Sequence, residues 1–179
     1  GNHLMRTQEY VRCLAVHLRH HPRFRNDLTE RAIQLLPKSA PLHDIGKVAL
    51  SDDLNTRTDD VKVAALASDA NWNSIETTFC GVDHAELGCK LTEEWKLPPE
   101  ICQAIRFHHK PSEGPKLAAL IHLADYASRF LVNGGGWSSY AISVEQSSLA
   151  ACGLKIEDIQ RVVLRLCQDQ ESINSYASM

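Results

Sequence analysis

The chain has 179 residues, 44% of them hydrophobic and 23% charged, a balance typical of a folded globular protein rather than a disordered one. Its 19 Lys and Arg residues are outnumbered by 22 Asp and Glu residues, which argues against binding to a nucleic-acid polymer. No apolar run is long enough to span a membrane and no signal peptide is recognisable, so we expect a cytoplasmic protein without a membrane partner.

Hydrophobic periodicity predicts helices along most of the chain, beginning with one over Leu4–His20. A second helix is predicted after a cap at Asp27 or Thr29, and Pro37 is expected to stop it. Ser39–Lys47 is a short segment with apolar anchors. The first third of the chain is therefore predicted to be helical.

The polar segment Ser51–Thr58 is predicted to be a loop. Later helices are predicted over Val61–Ala67, Asp83–Trp95, Pro98–His109, Lys116–Val132, Ser147–Ala151 and Ile156–Gln170. Asn133–Gly136 should break the long apolar helix, and we expect Asn133–Ser139 to be mobile. The fold class is all-α, a helical bundle in one domain over residues 1–179, with a motif-bearing core of about 1–132 and a helical extension of about 133–179.

Cysteine and histidine usage narrows the possible chemistry. The six cysteines form no CxxC pair, so we expect reduced, buried thiols and no zinc ribbon. Nine histidines are unusual for this length. Their positions therefore carry most of the functional information.

The first candidate site is the pair His43-Asp44 in the segment PLHDIGK. An imidazole nitrogen and a carboxylate oxygen on one turn suit Fe, Mn, Zn or Ni. Gly46 would allow a close backbone approach, and Lys47 can meet an anionic ligand. Taken alone, the pair is better explained by a helix-capping Asp beside a surface His.

Further candidate ligands are the adjacent pair His108-His109, the isolated His84, and Asp125 in the apolar helix LAALIHLADY. An acid among so many apolar residues is costly unless it is paired or bound to a metal. His122 lies one turn before Asp125, so a hydrogen-bonded His–Asp pair in the core is the alternative.

In this order, the residues resemble the HD superfamily of metal-dependent phosphohydrolases. The segments GNHLMRTQEYV and KSAPLHDIGKV look like the opening of an HD-GYP domain, the cyclic di-GMP phosphodiesterase type. The segments GVDHAELG, WKLPPEI and AIRFHHKP look like an HDOD domain, a related signalling module in which Trp95 is expected to anchor the core. The two resemblances together cover residues 1 to about 132.

The resemblance implies two divalent metal ions, with Fe or Mn favoured over Zn, Ni or Mg. The implied ligands are His3, His43, Asp44, His84, His108, His109 and Asp125. Asp44 would bridge the two metals, and Lys47 would lie near a substrate phosphate, so these two residues are the implied catalytic pair. Such a centre activates water for attack on phosphorus.

HD-GYP domains follow their paired histidines with Asp-Gly-x-Gly-Tyr-Pro, whereas this chain has Lys110–Pro115 at that place. Two functional hypotheses follow. The first is a phosphohydrolase or phosphodiesterase that acts on a nucleotide-type phosphoester, as the output domain of a signalling protein behind an N-terminal sensor or receiver domain. The alternative is a catalytically inactive HDOD-type signalling or interaction module. The apolar last helix also allows a homodimer.

Overall fold

The computed structural model describes residues 2–66, 71–130 and 146–161, and their side chains over 4–66, 71–128 and 146–161. This part of the chain consists of helices joined by turns and contains no strand, which confirms the predicted all-α class. The helices are α1 (Asn2–Leu18), α2 (Glu30–Ser39), α3 (Ile45–Thr56), α4 (Thr58–Ala65), α5 (Trp72–Cys80), α6 (His84–Glu94), α7 (Pro99–Arg106), α8 (Lys116–Phe130) and α9 (Gln146–Cys152), with 3₁₀ turns at Ala40–Asp44 and Pro111–Glu113.

Helix α8 is the centre of the bundle. Residues 117–125 are all buried, since α1 packs along one side of the helix and α7 and α9 pack on others. Burial from several directions explains why this segment is a continuous apolar run rather than an amphipathic stripe. The surrounding core includes Tyr10, Leu14, Leu18, Phe24, Leu36 and Ile105. Each such side chain contributes about 1.5–3 kcal/mol of transfer free energy.

The closest backbone approach in the site region joins the start of α3 to the start of α6. An ideal Cβ placed on Gly46 would lie 2.1 Å from the carbonyl oxygen of His84 and 2.7 Å from its Cα. Only glycine permits this contact without a shift of one backbone. The turn that carries His43 and Asp44 is therefore pressed directly against the first residue of α6.

The connection between α5 and α6 is fixed by side-chain hydrogen bonds. Asp83 is the N-cap of α6 and accepts from the backbone N–H of Glu86 at 2.8 Å. The side-chain amide of Asn73 in α5 donates to the other carboxylate oxygen of Asp83 at 3.1 Å. These bonds hold the start of α6 against α5.

Two of the predicted helix boundaries are wrong. Ser51–Thr58 is not a loop, because α3 continues to Thr56 and α4 begins at Thr58. The hydroxyls of Ser51 and Thr56 donate to carbonyls three residues earlier. The hydrogen-bonding groups of these polar side chains are therefore satisfied within the helix. Pro37 does not stop α2 either, since it lies inside the helix, which continues to Ser39.

Further predictions about the helices and the core need correction, and others concern residues that the structure does not describe. The helix from Pro98 ends at Arg106 rather than His109, and helix α5 over Trp72–Cys80 was not predicted. The prediction that Trp95 anchors the core is wrong, because this residue is 51% exposed. The predicted break and mobility over 133–139, and the helix beyond residue 161, lie outside the described residues.

The described cysteines are reduced as predicted, but Cys13 and Cys80 are only partly buried, contrary to the prediction. Cys13, Cys80, Cys89, Cys102 and Cys152 are free, and the last three are buried. Burial raises the pKa of the Cys152 thiol to about 12, so this group stays protonated. In the part of the chain that is described, no helix has the length and apolarity needed to cross a membrane.

The variant Gly46→Ala is expected to lower the free energy of unfolding by about 1–3 kcal/mol, because its methyl group would overlap the His84 backbone. Urea denaturation followed by far-UV circular dichroism measures the effect. The matched control is Val48→Ala, a 71% exposed position on the same helix, which should change little. An unchanged denaturation midpoint in Gly46→Ala would contradict a tight contact between α3 and α6.

Candidate metal centre

His43 and Asp44 end the 3₁₀ turn between α2 and α3. The His43 ring is fully buried, and its Nδ1 lies 2.6 Å from the carbonyl oxygen of Ala40, three residues earlier. A carbonyl only accepts, so Nδ1 carries the proton in this hydrogen bond. The other nitrogen, Nε2, is consequently directed into the site.

His108 is held in the same way at the end of α7. Its Nδ1 lies 2.6 Å from the carbonyl oxygen of Ile105, again three residues earlier. Its buried Nε2 has no hydrogen-bond partner among the described residues. His122 in α8 supports this turn, since its Nδ1 donates to the His108 carbonyl at 2.8 Å. A buried ring nitrogen left without a donor is a ready ligand for a cation.

His84 is the first residue of α6 and is also fully buried. Its Nδ1 lies 2.5 Å from Oε2 of Glu76, a buried carboxylate on α5. With Nδ1–H facing this carboxylate, the neutral ring presents an Nε2 lone pair to the site. Three histidines therefore share one arrangement, with Nδ1 facing an oxygen and Nε2 directed inward.

These nitrogens converge on one carboxylate. Asp44, His84, His108 and His109 each offer one ligand atom, and the four atoms lie within 4.8 Å of one another. The two Nε2 atoms of His84 and His109 are 2.9 Å apart. Two nitrogens bound at right angles to one cation at about 2.1 Å would lie about 3.0 Å apart. The donor set and its spacing thus fit a divalent cation.

A second group of ligand atoms lies on the other side of Asp44. The Nε2 of His43 is 3.5 Å from Oδ2 of Asp44 and 3.3 Å from Oδ1 of Asp125. The opposite oxygen of Asp44, Oδ1, is 3.4 Å from Nε2 of His84. Asp44 thus stands between the two groups and directs one oxygen to each.

Electrostatics favour a charged carboxylate at this junction. Burial alone would raise the pKa of Asp44, but the charges of His43 and Lys47 outweigh burial and hold its pKa well below the usual range. Burial alone would lower the pKa of His43, whereas Asp44 and Asp125 raise it above its ordinary value. The acid and its neighbours therefore stabilise one another's charges.

The pKa values of the adjacent pair His108-His109 shift in the direction opposite to that of His43. Burial, and then the charges of neighbouring histidines, lower the pKa of His108 well below its ordinary value. Burial and the charge of His84 do the same for His109. The two rings also pack together, with centroids 3.9 Å apart. Both are neutral near pH 7, the form in which imidazole binds metals.

Lys47 lies one turn after Asp44 at the edge of the site. Its Nζ is 2.7 Å from Oδ1 of Asp44, and its side chain is 23% exposed. A cavity of about 210 Å³ opens beside it between α3, α4 and α5. The residues around this cavity include Lys47, Ser51, Asn55, Lys62, Trp72 and Glu76.

The structure brings together all but one of the residues that the sequence singled out: His43, Asp44, Lys47, His84, His108, His109 and Asp125. His3 lies outside the described side chains. The Nδ1 of His122, the alternative partner of Asp125, donates to the His108 carbonyl. Sequence reasoning missed Glu76, whose only signal was an acid between apolar and hydroxyl neighbours in an unpredicted helix.

Comparisons with known proteins agree with this architecture. Residues 32–111 match the profile of the HDOD domain. A 54-residue segment is 52% identical to a cyclic di-GMP phosphodiesterase of Vibrio cholerae serotype O1. That segment is 30% of this chain and 11% of the relative, so the likeness concerns a small part of the curated protein.

Two crystal structures share the fold. One, from Marinobacter aquaeolei VT8, is provisionally named a signal transduction protein; it has a TM-score of 0.66 and 21% identity over 99% of this chain and 39% of its own. The other, from Shewanella amazonensis SB2B, is provisionally named a phosphohydrolase, with a TM-score of 0.57 and 21% identity over 91% of this chain and 58% of its own. At this identity the likeness concerns the fold alone.

The helical bundle and its histidine–aspartate cluster define an HD-type domain. The profile match over residues 32–111 and the high identity of a 54-residue segment support membership of the HD superfamily.

His109→Ala is expected to lower the amount of bound divalent metal while the helical fold stays intact, because the ring is partly exposed and one of four converging donors is lost. Elemental analysis of protein purified without chelators measures the effect. His17→Ala, on the exposed face of α1, is the control. Equal metal content in both variants would remove His109 from the site.

Proposed function

We propose that the chain is a metal-dependent phosphohydrolase that cleaves a nucleotide-type phosphoester, and that it serves as the output domain of a signalling protein. The supporting observation is the convergence of imidazole nitrogens on the partly buried Asp44, with Lys47 beside it. The name of the Vibrio cholerae relative makes cyclic di-GMP the first substrate to test.

The donor set divides into two cation sites that share Asp44. His84, His108 and His109 would hold one ion, and His43 with Asp125 the other; His3 is proposed as a further ligand. Mixed imidazole and carboxylate ligation favours Fe or Mn, with Zn, Ni or Mg as alternatives. When bound, such ions supply Lewis acidity toward phosphoryl oxygens and lower the pKa of water.

The chain's own residues orient the site and balance its charge. Asp44 would be a ligand to both ions. Lys47 is partly exposed and already bound to an anionic oxygen, so its ammonium can contact a phosphate oxygen and stabilise charge that develops there. The neutral rings of His108 and His109 remain ligands and do not compete for protons near pH 7.

The cavity beside Lys47 is proposed to hold the organic part of the substrate. Lys47 and Glu76 line the cavity and contact Asp44 and His84, respectively, in the cluster, so a phosphate at the cluster would place its substituent there. Trp72 offers an aromatic surface for a planar ring, and Asn55 offers an amide for hydrogen bonds.

A signalling module without catalysis is the second candidate. The segment after His109 forms only a 3₁₀ turn over Pro111–Glu113 in place of the longer Gly-Tyr-Pro loop, and the matching profile is that of the HDOD domain. In this role the domain would pass a state between an N-terminal sensor or receiver domain and a partner, which can be a second copy of the chain.

Turnover separates these two candidates. With Mn²⁺ or Fe²⁺, the protein should hydrolyse cyclic di-GMP or bis(p-nitrophenyl) phosphate. Lys47→Ala should lower kcat by about 10²–10³-fold with metal content unchanged, because charge stabilisation is lost, whereas Asp44→Ala should lose both. Lys90→Ala, on the exposed face of α6, is the control. Absence of turnover in metal-loaded wild type would leave the signalling role.

A substitution that fills the cavity tests whether the substrate binds there. Ser51→Tyr places a bulky ring between α3 and α5 and should raise KM for the hydrolysed dinucleotide about 10-fold, a loss of about 1.4 kcal/mol, with metal content unchanged. Val48→Tyr puts the same side chain on the exposed face of α3 and should behave as wild type. Equal KM values in the two variants would place the substrate elsewhere.

A further inference from the structure

Glu76 is a fully buried carboxylate whose hydrogen bonds both go to one residue. Its Oε2 accepts from the backbone N–H of His84 at 2.9 Å and from Nδ1 of the same residue at 2.5 Å. Its other oxygen, Oε1, is buried and has no hydrogen-bond partner among the described residues. Both hydrogen bonds of the Glu76 carboxylate are thus made with His84.

The backbone contact explains why a buried acid is tolerated there. His84 is the first residue of α6, where the helix leaves N–H groups without internal acceptors and has a partial positive charge. A carboxylate at this end satisfies one N–H group and is stabilised by the helix dipole. Glu76 therefore joins α5 to the start of α6.

The imidazole contact has a chemical consequence. Because the carboxylate accepts from Nδ1, the neutral ring carries its proton there and directs the Nε2 lone pair toward Asp44 and His109. We infer that Glu76 is a positioning residue that sets the tautomer and orientation of His84 for cation binding. The inference rests on the proposed metal centre.

His84 differs from the other oriented rings in how it is held. Main-chain carbonyls of Ala40 and Ile105 orient His43 and His108, and no substitution removes a main-chain carbonyl. Glu76 is a side chain, so the orientation of His84 can be changed by mutation. A carboxylate acceptor also makes the ring a stronger donor to a cation than a neutral carbonyl does.

The tautomer is tested first, without any metal. Long-range ¹H–¹⁵N NMR spectra of the metal-free protein should show His84 with its proton on Nδ1 in wild type. In Glu76→Ala this signal should change to a mixture of tautomers, while the exposed-site control Glu94→Gln keeps the wild-type pattern. An unchanged His84 tautomer in Glu76→Ala overturns the inference and leaves the proposed function intact.

Metal affinity is measured next, by calorimetric titration with Mn²⁺. Glu76→Ala should weaken binding about 10–100-fold. Glu76→Gln should weaken it less, because the side-chain carbonyl keeps an acceptor and loses only the charge. Glu76→Gln is nearly isosteric, so it decides the question if Glu76→Ala does not fold by circular dichroism.

A double-mutant cycle separates positioning from general destabilisation. In a His84→Ala background, Glu76→Gln should no longer change Mn²⁺ affinity. An equal loss in both backgrounds overturns the positioning role. Wild-type protein that binds no Mn²⁺ overturns the proposed metal centre itself, an outcome distinct from wild-type binding that Glu76 substitutions leave unchanged.

Discussion

The site depends on hydrogen-bond or charge partners for the imidazole and carboxylate groups that lie inside the bundle. Placing several imidazoles and carboxylates among apolar helices is unfavourable unless each has a defined partner. Here the outward nitrogens of His43, His84 and His108 each meet an oxygen. The inward nitrogens and the carboxylates of Asp44 and Asp125 then face one another. The cluster is consequently a ready set of ligands inside the bundle.

Much of this could be predicted from the sequence, because the informative residues are adjacent pairs in strong apolar contexts. His43-Asp44, His108-His109 and Asp125 stand out against their neighbours, and the structure brings them to one place. Glu76 could not be found this way, since its partner is defined by the packing of α5 on α6 rather than by local pattern. The helical state of Ser51–Thr56 was missed because hydroxyl side chains that bond within a helix resemble loop composition.

A helical bundle of this kind does not by itself decide between catalysis and signalling, because one fold can host both functions. What distinguishes the roles is the periphery of the cluster. Lys47 and the cavity beside it are where the proposed phosphoester would bind, whereas the segment after His109 forms only a short 3₁₀ turn. The choice between the two proposed roles therefore rests on a few residues around the cluster.

The missing side chain at Gly46 has a mechanical consequence. Because the α3 backbone rests directly on the His84 carbonyl, there is no flexible side chain between them to absorb a displacement. A tilt of α3 imposed by a neighbouring domain would move the imidazole of residue 84 with it. Conversely, a cation that fixes this imidazole would restrict the motion of α3. Metal occupancy of the centre and the orientation of α3 would therefore depend on each other.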